Sequence, residues 1–256
     1  VTGNSQSHPT GSAMGSGTPG LASLDLGETH GCAVSSSSVI CWGVATDGQL
    51  GNGASAVTSR DPVSVTTVAG WTPLEVSVST SSGSGGGTSC ALYSSDSTGD
   101  RRIMCWGDGA SGQMGDGGTA SLASPSSTDL VMLIDDPASM WYSVTPLGAS
   151  DGSETLSSSP YDVVEVSLSE IGKFGCARSS QGHVKCWGYN AYGQLGHGNT
   201  STASDGENEM GEDLAFVPLG ANRTATSLSV GENHACALLD DGSVKCWGRN
   251  NYGQLG

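Results

Sequence analysis

The sequence predicts an all-β protein built as an array of four small antiparallel sheets, and three observations predict it. One pattern occurs four times: GETHGCAVSSSSVICWGVATDGQLG from Gly27 to Gly51, TSCALYSSDSTGDRRIMCWGDGASGQMG from Thr88 to Gly115, GKFGCARSSQGHVKCWGYNAYGQLG from Gly172 to Gly196, and GENHACALLDDGSVKCWGRNNYGQLG from Gly231 to Gly256. Each copy is an apolar segment holding Cys, a polar turn, a second apolar segment ending in Cys-Trp-Gly, and a Gly-Gln-Leu/Met-Gly corner. Repetition at tens of residues marks supersecondary units that cannot bury a hydrophobic face alone. Ahead of each copy, apolar residues alternate with polar ones, as at Leu24 and Leu26 or Val76 and Val78, the period of a half-buried strand. The composition agrees: 40 glycines, 13% charged residues and no amphipathic helical run leave turns and short strands as the material of the chain.

Residues 1–20 lack apolar periodicity and cannot repay the entropy of ordering, so they read as a flexible arm or linker. The first repeat spans 21–73. After its corner comes Asp61-Pro-Val-Ser-Val, a short edge strand, since Pro is tolerated only at an edge or a strand's start. The second spans 74–160, with a longer hairpin turn (Asp96 to Arg102) and an insertion at about 116–160. The insertion's apolar runs 129–135 and 140–144 supply either an outer strand and cover or a contact with another subunit. The third spans 161–220 and ends in an acidic loop, 204–220; the fourth spans 221–256 and lacks an outer strand, leaving a sheet edge for the arm or a second copy to fill.

The eight cysteines fall as four pairs with none left over: Cys32 with Cys41, Cys90 with Cys105, Cys176 with Cys186, and Cys236 with Cys246. Short strands around a tight turn place each pair on neighbouring antiparallel strands, close enough for a disulfide. Closing a loop of about ten residues contributes roughly 2.5–3 kcal/mol in the chain-entropy model, and four such ties imply an oxidising, extracellular setting. Free buried thiols and zinc ligands are the competing readings. No close C-x-x-C pair occurs, and Thr88 and Phe174 stand where His30 and His234 precede Cys in the other units, so no repeated metal site is supported.

A net charge of −16 with nine Lys and Arg repels a phosphate backbone, which excludes nucleic acid as a partner. No apolar run approaches the roughly 20 residues that span a bilayer, and the first residues lack the layout of a signal peptide. The chain reads as soluble, any signal having been removed or lying outside it. No G-x-S-x-G elbow, P-loop or H-E-x-x-H occurs, and the acidic clusters lack the spacing of a calcium loop, so neither an enzyme nor a cofactor is expected. Sequons at Asn199 and Asn222 lie in inferred surface loops and fit a secreted glycoprotein. Ser/Thr stretches such as 35–38 and 157–159 are weaker candidates for O-linked sugars.

The blocks G-x-x-H-x-C-A-L, D-G-x-V-K-C-W-G and N-x-Y-G-Q-L-G, clearest in the fourth unit, resemble the repeats of the regulator of chromosome condensation family, in particular secreted, cysteine-containing members. The resemblance implies a β-propeller of four-stranded blades, commonly seven, so four units make a partial ring or open array. Trp42, Trp106, Trp187 and Trp247 point away from the adjacent Cys and are expected in the core between blades, with sugar-stacking platforms the alternative. The corner glutamines are expected to bond to backbone. Family members that act as guanine nucleotide exchange factors also bind chromatin, and acidic charge and paired cysteines weigh against both. The expected function is an extracellular structural or adhesive scaffold that self-associates into a filament or surface coat. The alternative is a propeller recognising a protein or glycan.

Overall fold

The computed structural model describes residues 21–80, 86–125, 163–171, 173–202, 209–210 and 214–256. The arm 1–20, the apolar runs 129–135 and 140–144, the Ser stretch 157–159 and much of the acidic loop lie outside the described residues. Among the described residues there are strands and no helix. The first sheet holds β1 (Leu21–Leu26), β2 (His30–Ser35), β3 (Ser38–Gly43) and β4 (Ser59–Ser64), in that spatial order. The second holds β5 (Trp71–Thr80), β6 (Gly87–Ser95) and β7 (Arg101–Gly107); the third β8 (Val163–Leu168), β9 (Phe174–Ser179) and β10 (Val184–Gly188); the fourth β11 (Ala225–Val230), β12 (His234–Leu239) and β13 (Val244–Gly248). All pairings are antiparallel meanders, so each repeat folds on itself before it meets its neighbour.

The first strand of every sheet carries a register shift near its start, at Leu21/Ser23, Pro73/Glu75, Val163/Glu165 and Ala225/Ser227. A bulge bends and twists its strand, and one at the same place in four units repeats the same curvature. The second sheet starts at Trp71, before the Leu74 boundary expected from sequence, because this bulge admits Pro73. Pro62 lies in β4, the outer edge of the first sheet, where a missing N–H costs no ladder bond.

Sheets of three to four strands are present, and among the described residues the first has its outer strand, β4. In the second and third sheets the outer position shows single bridges among the described residues, Gly107 to Leu122 and Lys185 to Phe216. The stretch before Leu122, Asp-Gly-Gly-Thr-Ala-Ser, has no apolar alternation to hold a ladder.

The sheets stack in sequence order: β1 and β2 pack on β5, β5 and β6 on β8, and β8 and β9 on β11. The core is therefore distributed between sheets. Val34, Val39, Val76, Val78, Met104 and Trp106 fill the first junction, while Leu92, Ile103, Val166, Leu168 and Trp187 are buried in the cluster spanning the later ones.

Candidate functional site

The second, third and fourth sheets each present a leading face, bearing the Trp of the Cys-Trp-Gly segment, to the sheet before. The trailing face bears the paired cysteines and, in the first three sheets, meets the sheet after. The three junctions use the same contact. Trp106 Nε1 donates to the Gln49 carbonyl at 2.9 Å, Trp187 Nε1 to the Gln113 carbonyl at 3.1 Å, and Trp247 Nε1 to the Gln194 carbonyl at 2.9 Å. The glutamine side chain holds its own corner: Gln49, Gln113 and Gln194 accept through Oε1 from the amides of Asp47, Ser111 and Tyr192 at 2.7–3.0 Å. Gln254 does the same with Tyr252 at 2.9 Å. The corner must also be bare. Gly51 and Gly196 have φ of +67° and +75°, and a Cβ there would stand 2.6 Å and 3.0 Å from the next sheet's Trp ring.

A second set of contacts ties the inner strands together. Ser23 Oγ accepts the Val76 amide at 3.2 Å, and Asp25 Oδ2 the Val78 amide at 2.8 Å. Ser77 Oγ donates to Asp25 at 3.1 Å and accepts the Leu168 amide at 3.0 Å; Glu75 takes the Val166 amide; Glu165 Oε1 takes the Leu228 amide at 3.1 Å. These amides belong to the free edge of each inner strand, so side chains of one sheet satisfy the edge of the next. Burial, followed by the neighbouring Glu165 charge, pushes the Glu75 carboxyl up to about 7. Glu165 itself is held by Arg178 Nε at 2.7 Å.

The first junction adds a His–Ser pair. His30 Nε2 lies 3.0 Å from Ser89 Oγ, which donates to the Gln49 carbonyl at 2.9 Å. With the hydroxyl proton committed to that carbonyl, His30 is assigned the tautomer that donates through Nε2. Burial pushes its imidazole down to about 4. A hydroxyl that already donates elsewhere is no activated nucleophile, so the pair joins sheets.

Cys32–Cys41, Cys90–Cys105, Cys176–Cys186 and Cys236–Cys246 are disulfides between directly opposed residues, with Cα separations of 4.0–4.1 Å. Trp106, Trp187 and Trp247 sit between sheets; Trp42 is half-buried and has no preceding sheet among the described residues. Asn199 and Asn222 are exposed. No group of three His, Cys, Asp or Glu converges as a metal site among the described residues, and no helix is long and apolar enough to cross a membrane. Sequence reasoning missed Ser23, Asp25, Glu75, Ser77, Glu165 and Ser89. In the inner strands the only signal was a polar residue recurring between the apolar ones, the mark of a solvent-facing side; here that side faces the next sheet.

Two faces have no partner among the described residues. On the leading face of the first sheet, Leu24 and Leu26 are 51% and 61% exposed, whereas their counterparts Val76 and Val78 are each 3% exposed. On the trailing face of the fourth, Leu238 and Val244 are 43% and 63% exposed, against 0% and 3% for Val34 and Val39. Gln254 and Leu255 are likewise opened relative to the fully buried Gln49 and Leu50. Beside them, Arg249 lies over the rings of Tyr192 (4.9 Å) and Tyr252 (5.7 Å), a cation layered between two exposed tyrosines.

The regulator of chromosome condensation (RCC1) repeat model matches residues 172–194 and 225–254. The chain is similar to the ultraviolet-B receptor UVR8 of Arabidopsis thaliana, with 30% identity over 173 residues, 67% of this chain and 30% of that protein. In fold it resembles human WBSCR16, with a TM-score of 0.60 and 18% identity over 94% of this chain and 50% of that one. It also resembles yeast RCC1 (Prp20), solved bound to Kap60, with a TM-score of 0.58 and 16% identity over 90% of this chain and 42% of that one. The chain thus spans less than a third of that curated relative and half or less of those two solved chains.

Proposed function

This chain is a repeat protein of the regulator of chromosome condensation family, and we propose that it serves as a disulfide-stapled scaffold outside the reducing cytosol, associating with copies of itself through its two uncovered sheet faces. One observation carries the reading: two faces uncovered among the described residues carry the two halves of the junction that the molecule makes three times internally. Leucines more than half exposed at positions otherwise buried form an apolar patch, the usual mark of an interaction site. Four ties within single units support an oxidising, extracellular setting. Exposed Asn199 and Asn222 are then available for N-linked glycans.

The reading gives the chain no catalytic role, since the His30–Ser89 pair is spent on holding two sheets together. A second reading, recognition of another protein or a glycan on the exposed rim, is favoured by the Tyr192–Arg249–Tyr252 layer, because Tyr and Arg are the residues interfaces concentrate. Sedimentation of the unreduced protein over a wide concentration range separates the two. Self-association gives a mass that rises above the 25.6 kDa of one chain. A single species at one chain's mass throughout removes the first reading and leaves the second.

A further inference from the structure

We infer that a cleft between the first two sheets binds a neutral hexose residue of a glycan, with the sugar ring against Trp71 and its hydroxymethyl arm directed to the Tyr93 hydroxyl. The cleft uses none of the residues of the two uncovered faces or of the Tyr192–Arg249–Tyr252 layer, so it stands or falls apart from both readings above.

Four segments meet there. The β2–β3 hairpin brings Ser37, Ser38 and Val39, the start of β5 brings Trp71 and Pro73, β6 brings Tyr93, and the β4–β5 connection supplies residues 65–68. That connection is pinned on both sides: the Val65 amide donates to the Val39 carbonyl at 2.9 Å and the Thr66 amide to the Gly51 carbonyl at 2.8 Å. Tyr93 stands directly opposite Pro73 in the β5–β6 ladder. Arg102 lies over the Trp71 ring at 5.8 Å, a cation–π contact that steadies this wall.

The repeat does not call for these residues. Where the second sheet has Pro73, the others have Leu21, Val163 and Ala225, and where it has Tyr93 they have Ser35, Ser179 and Leu239. The frame therefore folds three times without a phenol. Tyr93 is 3% exposed, and its hydroxyl makes no hydrogen bond among the described residues. Burial pushes the phenol up, so the hydroxyl keeps its proton and remains a donor. A buried hydroxyl left unpaired is costly, and one placed in the wall of a cleft is satisfied by a ligand that brings an acceptor.

The lining selects the class of ligand. Exposed Ser37, Thr66 and Thr67 give the cleft a hydroxyl rim, buried valines give it an apolar lining, and no lining side chain is charged. Hydroxyls both donate and accept, as those of a sugar do, and the negative face of an indole attracts the C–H face of a pyranose. A charged ligand meets no opposite charge there to offset its desolvation. The space is about 240 Å³, partly open to solvent, below the roughly 300–1,000 Å³ of sites for drug-sized ligands, so it accepts a single ring. Its enclosed end admits a group of about the size of one water, so a hydroxyl enters on its hydroxymethyl arm while the ring stays at the mouth.

The test is binding of the full unreduced chain to immobilised glucan, galactan and mannan, with xylan, whose pentose lacks the hydroxymethyl arm, and a proline-rich peptide for comparison. At least one hexose polymer is expected to bind, and xylan to bind roughly tenfold more weakly or worse. Tyr93→Phe is expected to weaken the hexose polymer about tenfold and Thr67→Val, at the exposed rim, about threefold. Because the Tyr93 oxygen bonds nothing in the free chain, the denaturant midpoint of Tyr93→Phe is expected not to fall. A midpoint that falls shows the hydroxyl already used within the fold and overturns the inference. So does the absence of binding to every hexose polymer, equal binding of xylan, binding that survives both variants, or binding of the peptide alone. None of these outcomes bears on the sedimentation test of self-association.

Discussion

The indole of Trp187 is fully buried, and its one polar atom is satisfied by a backbone carbonyl of the preceding sheet. Removing that donor strands a buried acceptor, so Trp187→Phe is expected to cost about 2–4 kcal/mol from the lost bond and the volume left behind. The same change at half-buried Trp42 is expected to stay within about 0.5 kcal/mol for the single chain, and denaturant midpoints of the two variants check the difference. The places of Trp106, Trp187 and Trp247 follow from residue identity, since a Cys-Trp pair on a strand must send its side chains to opposite faces. His30 stood out by its place two residues before Cys, while Ser89 did not, because a serine on an apolar strand carries no sign of what it will meet. The imidazole supplies its own test. Its folded pKa, about 4, lies below the ordinary 6.5, so its contribution to stability is complete above pH 6.5 and is lost as pH falls through 4. His30→Gln, which keeps a donor near Ser89, is expected to flatten that acid limb by roughly 3 kcal/mol, read from unfolding free energies at pH 4 and pH 7.

At the scale of the strand, the hairpins and their pairs of cysteines followed from apolar alternation and turn residues, and each disulfide joins directly opposed positions of a two-strand ladder. Replacing Cys176 and Cys186 together by Ser is expected to lower stability by about 2–3 kcal/mol, measured by denaturant unfolding, because the bridge closes a loop of sequence separation 10. The inner strands were legible as strands and misleading in their polar residues. Asp25, Glu75 and Glu165 alternate with Leu and Val as solvent-facing residues do, yet they accept amides from the next sheet's edge, a partner that appears only after the sheets stack. Glu75 records the cost of that position. Its folded pKa, about 7, lies above the ordinary 4.5, so the penalty for ionising it is absent below pH 4.5, grows as pH rises and is complete above 7. Allowing for its partial exposure, Glu75→Gln is expected to stabilise the chain by about 1–2 kcal/mol at pH 8 and by little at pH 4, still accepting the Val166 amide. In the window between pH 4.5 and 6.5 the His30 and Glu75 contributions oppose each other, so the single variants are needed to see either.

At the scale of the molecule, the repeat count and the array of small antiparallel sheets were implied by four copies of one pattern. The bridge from Gly107 to Leu122 was not, because the stretch 116–121 before it lacks a period and leaves no trace in the pattern. The direction of the stacking was also hidden. Trp106, Trp187 and Trp247 each reach back to the preceding corner, which gives the array a direction. Beneath the scaffold and its sheet faces lies one claim: each repeat is a closed covalent unit, and neighbouring repeats are joined by packing and hydrogen bonds, with no covalent tie between them. Mass spectrometry of the unreduced, digested protein tests it most directly. The account expects four linked peptide pairs, Cys32 with Cys41, Cys90 with Cys105, Cys176 with Cys186 and Cys236 with Cys246. Bridges that join different repeats, or eight cysteines open to alkylation, would contradict it.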